Sequence, residues 1–115
     1  MNRIQEIQFE LMVLGSFNDF DGRLVSQSLR DHSYLWESFA FGRYEYGDLI
    51  FLRDMKSGRF NGDTLYIIIV PGKENELLEL AKTWGADEID VIPKDKLFTL
   101  LGTNSPMQLL RVWWD

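Results

Sequence analysis

By residue type, the groups in this 115-residue chain best suited to chemistry are the carboxylates Asp48, Asp87, Glu88 and Asp90. Glu88 and Asp90 stand two apart, so a strand through them sends both side chains to one face. Two acids at the end of a parallel strand can serve as general acid and base, or as magnesium ligands, because open α/β sheets place their sites there. The same pair on a sheet edge supplies charge that discourages strand-to-strand aggregation. The edge reading is preferred.

Nucleophilic catalysis needs a base beside a Ser or Cys. Cys is absent, His32 is the single imidazole, and no Gly-x-Ser-x-Gly elbow occurs. Asp31 and His32 are neighbours, which on a helix diverge by about 100° and form no dyad. His32 reads as a helix C-terminal residue that favours the dipole. Asp19-Phe20-Asp21-Gly22 has the composition of a calcium-loop start. With Asp21 at position 5, however, Phe17 and Ser28 would fill positions 1 and 12, where carboxylates are needed. Capping by Asp21 is the better reading. Val70-Pro71-Gly72-Lys73 leads from a strand into a helix, but one Pro-Gly turn reads as a plain connection rather than an anion site. Thus no catalytic residue, cofactor site or metal site is expected.

Binding is the other chemistry open to the chain, and Trp113-Trp114 is the feature that suggests it. With residues 106–114 read as a helix, Met107, Leu110 and Trp114 line one side and Trp113 another. Trp is enriched at binding hot spots, so these four residues make a candidate interface for a protein partner or for a second copy. The alternative, that both tryptophans cap the core of a small aromatic-rich domain, carries equal weight. Tyr34, Trp36, Phe39, Phe41, Tyr44 and Tyr46 form a second aromatic concentration. With Arg43 alone among them, they read as core and hairpin rim rather than a base-stacking platform.

Charge narrows the partners. The net charge is −6, from 18 acids and 12 bases, and each half of the chain carries nine acids and six bases. With no basic half or stripe, phosphate neutralisation and so nucleic-acid binding are disfavoured. No apolar run reaches the roughly 20 residues that a bilayer span needs. The first residues do not form a signal peptide, and the absence of Cys fits a reducing compartment. A soluble cytoplasmic protein is the expectation, and 45% hydrophobic residues suffice for one globular domain over 1–115.

The elements that must position these residues centre on Thr64–Val70, an uncharged β-branched run of the kind found in a strand buried on both faces. Pro71-Gly72 ends it. Leu77, Leu80, Ala81 and Trp84 follow at helical spacing, Gly85 suits a left-handed stop, and Glu88–Ile92 alternates as a strand. Strand, helix and strand in this span predict a βαβ unit with parallel strands. Asp21 caps a helix over 21–32, and Pro93 opens one over 93–101 that Gly102 ends. Residues 7–13 alternate and are read as a strand, although Ile4, Ile7, Leu11 and Leu14 also fit a helical face. Residues 34–41 and 48–53 read as further strands, the latter forming a hairpin with 64–70. Ser105-Pro106-Met107-Gln108 has the form of a capping box, which argues for the C-terminal helix. The expected class is α/β in the two-layer α+β sense: a mixed sheet of four or five strands with one βαβ unit and trailing helices, close to a ferredoxin-like sandwich with additions.

The order hairpin, βαβ, then helix after Val91-Ile92-Pro93 also resembles the core topology of restriction-endonuclease-like domains. That resemblance implies a magnesium-binding Asp near one hairpin strand, a place Asp48 fits, and a Glu-x-Lys on the next. Tyr66–Val70 carries neither acid nor Lys, so the catalytic half is unmatched. The function expected is therefore a non-enzymatic interaction or regulatory module, homodimeric through its C-terminal helix. The alternative is a small enzyme or ligand-binding domain using Asp48, Asp87, Glu88 and Asp90, which requires those side chains to converge.

Overall fold

The computed structural model describes residues 1–15, 18–44, 49–102 and 107–115, with the backbone alone for 49–51. Among the described residues, four strands form one sheet and five α-helices accompany it in an α+β fold. Helix α1 spans Arg3–Val13 and α2 spans Gly22–Asp31. Strand β1 (Trp36–Gly42) follows, then α3 (Leu49–Lys56) and β2 (Thr64–Ile69). Helix α4 (Glu74–Ala81), β3 (Glu88–Val91), α5 (Lys94–Leu101) and β4 (Gln108–Trp113) complete the chain.

The strand through Thr64 is central, as its composition predicts. The sheet order is β1-β2-β4-β3, and β2 is hydrogen-bonded to a neighbour on each side. Leu65, Ile67 and Ile69 of β2, with Phe39, Phe41, Leu110 and Val112, face a main core shared with Phe9, Met12, Val25, Leu29 and Leu77. The opposite face of β2 presents Tyr66 and Ile68 to a smaller cluster of Ile92, Leu97, Leu109 and Leu101. Helices α1, α2 and α4 thus layer one face, and α5 covers part of the other.

Local capping signals hold where the sequence places them. Asp21 Oδ1 accepts a hydrogen bond from Leu24 N at 3.1 Å, and His32 ends α2. Gly85 closes the 3₁₀ turn Lys82–Trp84 that continues α4, and Gly102 closes α5, both in the left-handed region at φ 73° and 69°.

Four expectations are corrected. First, residues 3–13 are helical rather than a strand. Asn2 Oδ1 caps the helix by accepting from Gln5 N at 2.8 Å, and the buried side is Gln5, Phe9 and Met12. The alternation of Ile7, Phe9, Leu11 and Val13 misleads because only Phe9 of the four is core, with Ile7 and Val13 45% and 36% exposed. Second, residues 49–56 form α3, so the hairpin with 64–70 is absent. Its place beside β2 is taken by β1, antiparallel from Trp36↔Ile69 to Gly42↔Thr64. The ferredoxin-like element order and the restriction-endonuclease-like topology both lapse with those two strands.

Third, the C-terminal segment is a strand. Gln108–Trp113 pairs antiparallel with β2 on one side and with β3 on the other, which satisfies backbone groups of three segments at once. Long-range pairing outweighs local helical preference here, as is common for strands. The capping box at Ser105-Pro106 lies outside the described residues. Fourth, the sheet is antiparallel at every pairing rather than mixed. Strands β2 and β3 do run parallel, but β4 lies between them, so the βαβ unit is split.

Candidate functional site

Inserting β4 between β2 and β3 brings together residues that are remote in sequence. Leu110 and Val112 point into the main core, so Arg111 and Trp113 must project from the other face. Register then defines two rows on that face. Thr64, Trp113 and Glu88 form one, and Tyr66, Arg111 and Asp90 form the next.

Tyr44 packs over both rows. Its ring centroid lies 5.8 Å from that of Trp113, at an interplanar angle of 61°. The Arg111 guanidinium stacks 4.5 Å from the centre of the same tyrosine ring, and its Nη2 lies 3.4 Å from Asp90 Oδ2. Tyr44 is held by its backbone N–H, which donates to Asp63 Oδ1 at 3.2 Å. The residue before it is tied down as well: Tyr66 Oη donates to Arg43 O at 3.1 Å, and Arg43 Nη1 donates to Asn61 O at 3.1 Å.

Asp63 organises this corner. It is 6% exposed, its N–H donates to Gly42 O at 2.9 Å, and its carbonyl accepts from Trp114 N at 2.9 Å. Its Oδ1 also accepts from Thr64 Oγ1 at 2.8 Å. Gly62 precedes it because the chain runs against the Phe41 ring; a Cβ there would stand 2.1 Å from Phe41 Cε2. Further support comes from α3, where Asn61 Nδ2 donates to the buried Asp54 carboxylate and Arg59 N donates to Asp54 O at 2.9 Å. The hydrogen bond from Arg53, and secondarily that from Asn61, holds the Asp54 carboxyl below its ordinary pKa.

Tyr44, Asp63, Glu88 and Trp113 line a cleft of about 400 Å³. A second hollow of about 580 Å³ lies towards α5, lined by Asp90, Ile92, Lys96, Thr99 and Arg111 among others. No family model, curated protein or solved structure matches this chain. Function therefore has to be argued from the site itself.

The structure redistributes the two residue sets expected from the sequence. Trp113 of the aromatic set and Glu88 of the acidic set are cross-strand partners in one cleft, and Asp90 lies in the adjoining row. Asp87 turns instead to the chain end, where its Oδ2 accepts from Asp115 N at 2.7 Å. Asp48 lies outside the described residues. Trp114 and Leu110 are fully buried; the Trp114 indole donates to Trp84 O at 3.1 Å, and its ring meets Phe20 edge-on at 4.6 Å. Met107 is half-buried just before β4. A homodimer through a C-terminal helix therefore has no helix to form through.

Sequence reasoning missed Arg111, Tyr44 and Asp63 as members of this face. The available signal was the alternation Leu110-Arg111-Val112-Trp113, which separates core from surface only when read at the period of a strand. His32 lies elsewhere, with its Nδ1 2.8 Å from Ser28 O at the end of α2. Among the described residues, no group of three His, Asp or Glu side chains is placed to hold a metal ion. No described helix is long and apolar enough to cross a membrane.

Proposed function

We propose that this protein is a non-enzymatic binding module that engages its partner through the cleft between Tyr44, Asp63, Glu88 and Trp113. The observation that carries this reading is the contrast between adjacent tryptophans. Trp114 is committed to the core, whereas Trp113 stands half-buried as a wall of the cleft beside a second aromatic and an acid. An aromatic held rigidly at a partly exposed position loses little entropy on binding, which is why such residues dominate recognition surfaces. The alternative, an enzyme built on the acidic cluster, needs its carboxylates in one place. Glu88 lines one cleft, Asp90 lines the other, and Asp87 is bonded to the chain end.

The test is a fragment and peptide screen on the ¹⁵N-labelled full chain. Binders are expected to shift the amides of residues 44, 63–64, 88 and 113 together with the Trp113 indole. Trp113→Ala should abolish those shifts while leaving the remaining spectrum folded. Binders that map instead to the hollow between α1 and α2, lined by Glu10, Val13, Arg23 and Gln27 among others, or a bound compound that is chemically turned over, would sink the proposal.

A further inference from the structure

The two rows on the sheet face are built alike but neutralised differently. In the row of Tyr66, Arg111 and Asp90, the acid faces a guanidinium that also stacks on Tyr44. In the row of Thr64, Trp113 and Glu88, the acid has no cation beside it among the described residues. The second acid that lines this cleft is Asp63, more than nine-tenths buried, whose Oδ1 takes both hydrogen bonds the carboxylate receives. Its Oδ2 accepts none from the described residues, and Asp63 is one of the residues that line the cleft.

Resting on the binding reading above, we infer that the group received by this cleft is a compact organic cation, an alkylammonium such as a lysine side chain or a free amine. Three features of the site converge on it. Two carboxylates, Asp63 and Glu88, line the cleft without a cation beside either among the described residues, so an incoming cation meets unneutralised negative charge. The faces of Trp and Tyr carry the negative end of their quadrupoles, and they attract an ammonium without needing it to form hydrogen bonds. A cleft of about 400 Å³ admits an ammonium head with part of its chain. A bare divalent ion suits the site less well, since it needs six or more oxygens and two of the four lining residues are aromatic. Arg111 on Tyr44 shows that this face already holds one cation against an aromatic ring with an acid at its side.

The experiment titrates the full chain with N-acetyl-lysine methylamide, its uncharged norleucine counterpart and acetate, reading Trp113 fluorescence and the amide shifts of residues 44, 63, 88 and 113. The lysine compound should bind about tenfold more tightly than the norleucine one, and acetate should not bind. Affinity should fall as salt rises. Glu88→Gln should weaken the lysine compound by about threefold and Asp63→Asn by about tenfold. If Asp63→Asn does not fold, Glu88→Gln carries the test, because Glu88 is exposed. A parallel arm compares n-butylamine with a lysine-containing peptide; tighter peptide binding assigns the cation to a partner's side chain, and equal affinities assign it to a free amine. Equal binding of the lysine and norleucine compounds at the cleft would overturn the cation inference and leave the binding reading standing. If neither compound binds, the inference falls, and the unbiased fragment screen decides the binding reading separately.

Discussion

Gln5 of α1 is hydrogen-bonded twice to the backbone of Phe39 on the outermost strand. Its Oε1 accepts from Phe39 N at 3.0 Å, and its Nε2 donates to Phe39 O at 2.9 Å. One turn along the helix, Gln8 Oε1 accepts from Phe41 N at 2.8 Å. The two side chains do for β1 what a further strand would do, occupying edge groups that otherwise invite pairing with another chain.

Replacing Gln5 by Leu should therefore have two consequences. Both Phe39 backbone groups lose their buried partner, which costs on the order of 1–3 kcal/mol for each group left unsatisfied. Urea denaturation should show a drop of about 2 kcal/mol, and aggregation near the midpoint should increase. Unchanged stability together with unchanged solubility would show that the edge is not guarded by α1.

Adjacent tryptophans should respond very differently to truncation. Trp114→Ala removes a fully buried ring packed on Phe20 and should cost about 3–5 kcal/mol. Trp113→Ala removes a half-buried ring from a cleft wall and should cost about 1 kcal/mol. Chemical denaturation of the two variants reads this directly, and similar losses would contradict the assignment of one ring to the core and the other to the surface.

Stability should fall on the acid side through Asp54. Its folded-state pKa lies below the ordinary carboxylate value of about 4, so the unfolded chain takes up the proton first as pH decreases. The contribution is fully present above that ordinary value and is lost as pH falls through the folded pKa. Asp54→Asn should flatten the acid limb of a stability–pH curve and should loosen the 59–63 segment that supports Asp63. A variant whose acid limb matches that of the parent would refute this role.

Legibility in the sequence followed the range of the interactions involved. Asp21, Gly85 and Gly102 announce helix ends because a cap acts over three or four residues. The apolar run at Leu65–Ile69 announces a central strand because both of its faces need cover. Residues 3–13 misled because Ile7 and Val13 of the alternating set are apolar yet exposed, while the polar Gln5 is buried by the two bonds it makes to a strand 34 positions away. Of the site, Trp113, Glu88 and Asp90 could be singled out by type. Their grouping could not, because nothing local relates residue 88 to residue 113.

From the chain alone came the α+β class, the central strand, helices read at 21–32, 73–84 and 93–101 where the structure has 22–31, 74–81 and 94–101, and an acidic strand read at 88–92 where the structure has 88–91. Tertiary structure alone decided that Gln108–Trp113 is a strand, that it lies between β2 and β3, and hence that Trp113 meets Glu88 while Trp114 meets the core. The reason is physical. Helix caps and periodicity are satisfied within a few residues, whereas a strand's hydrogen bonds are completed by segments that only the folded chain brings alongside.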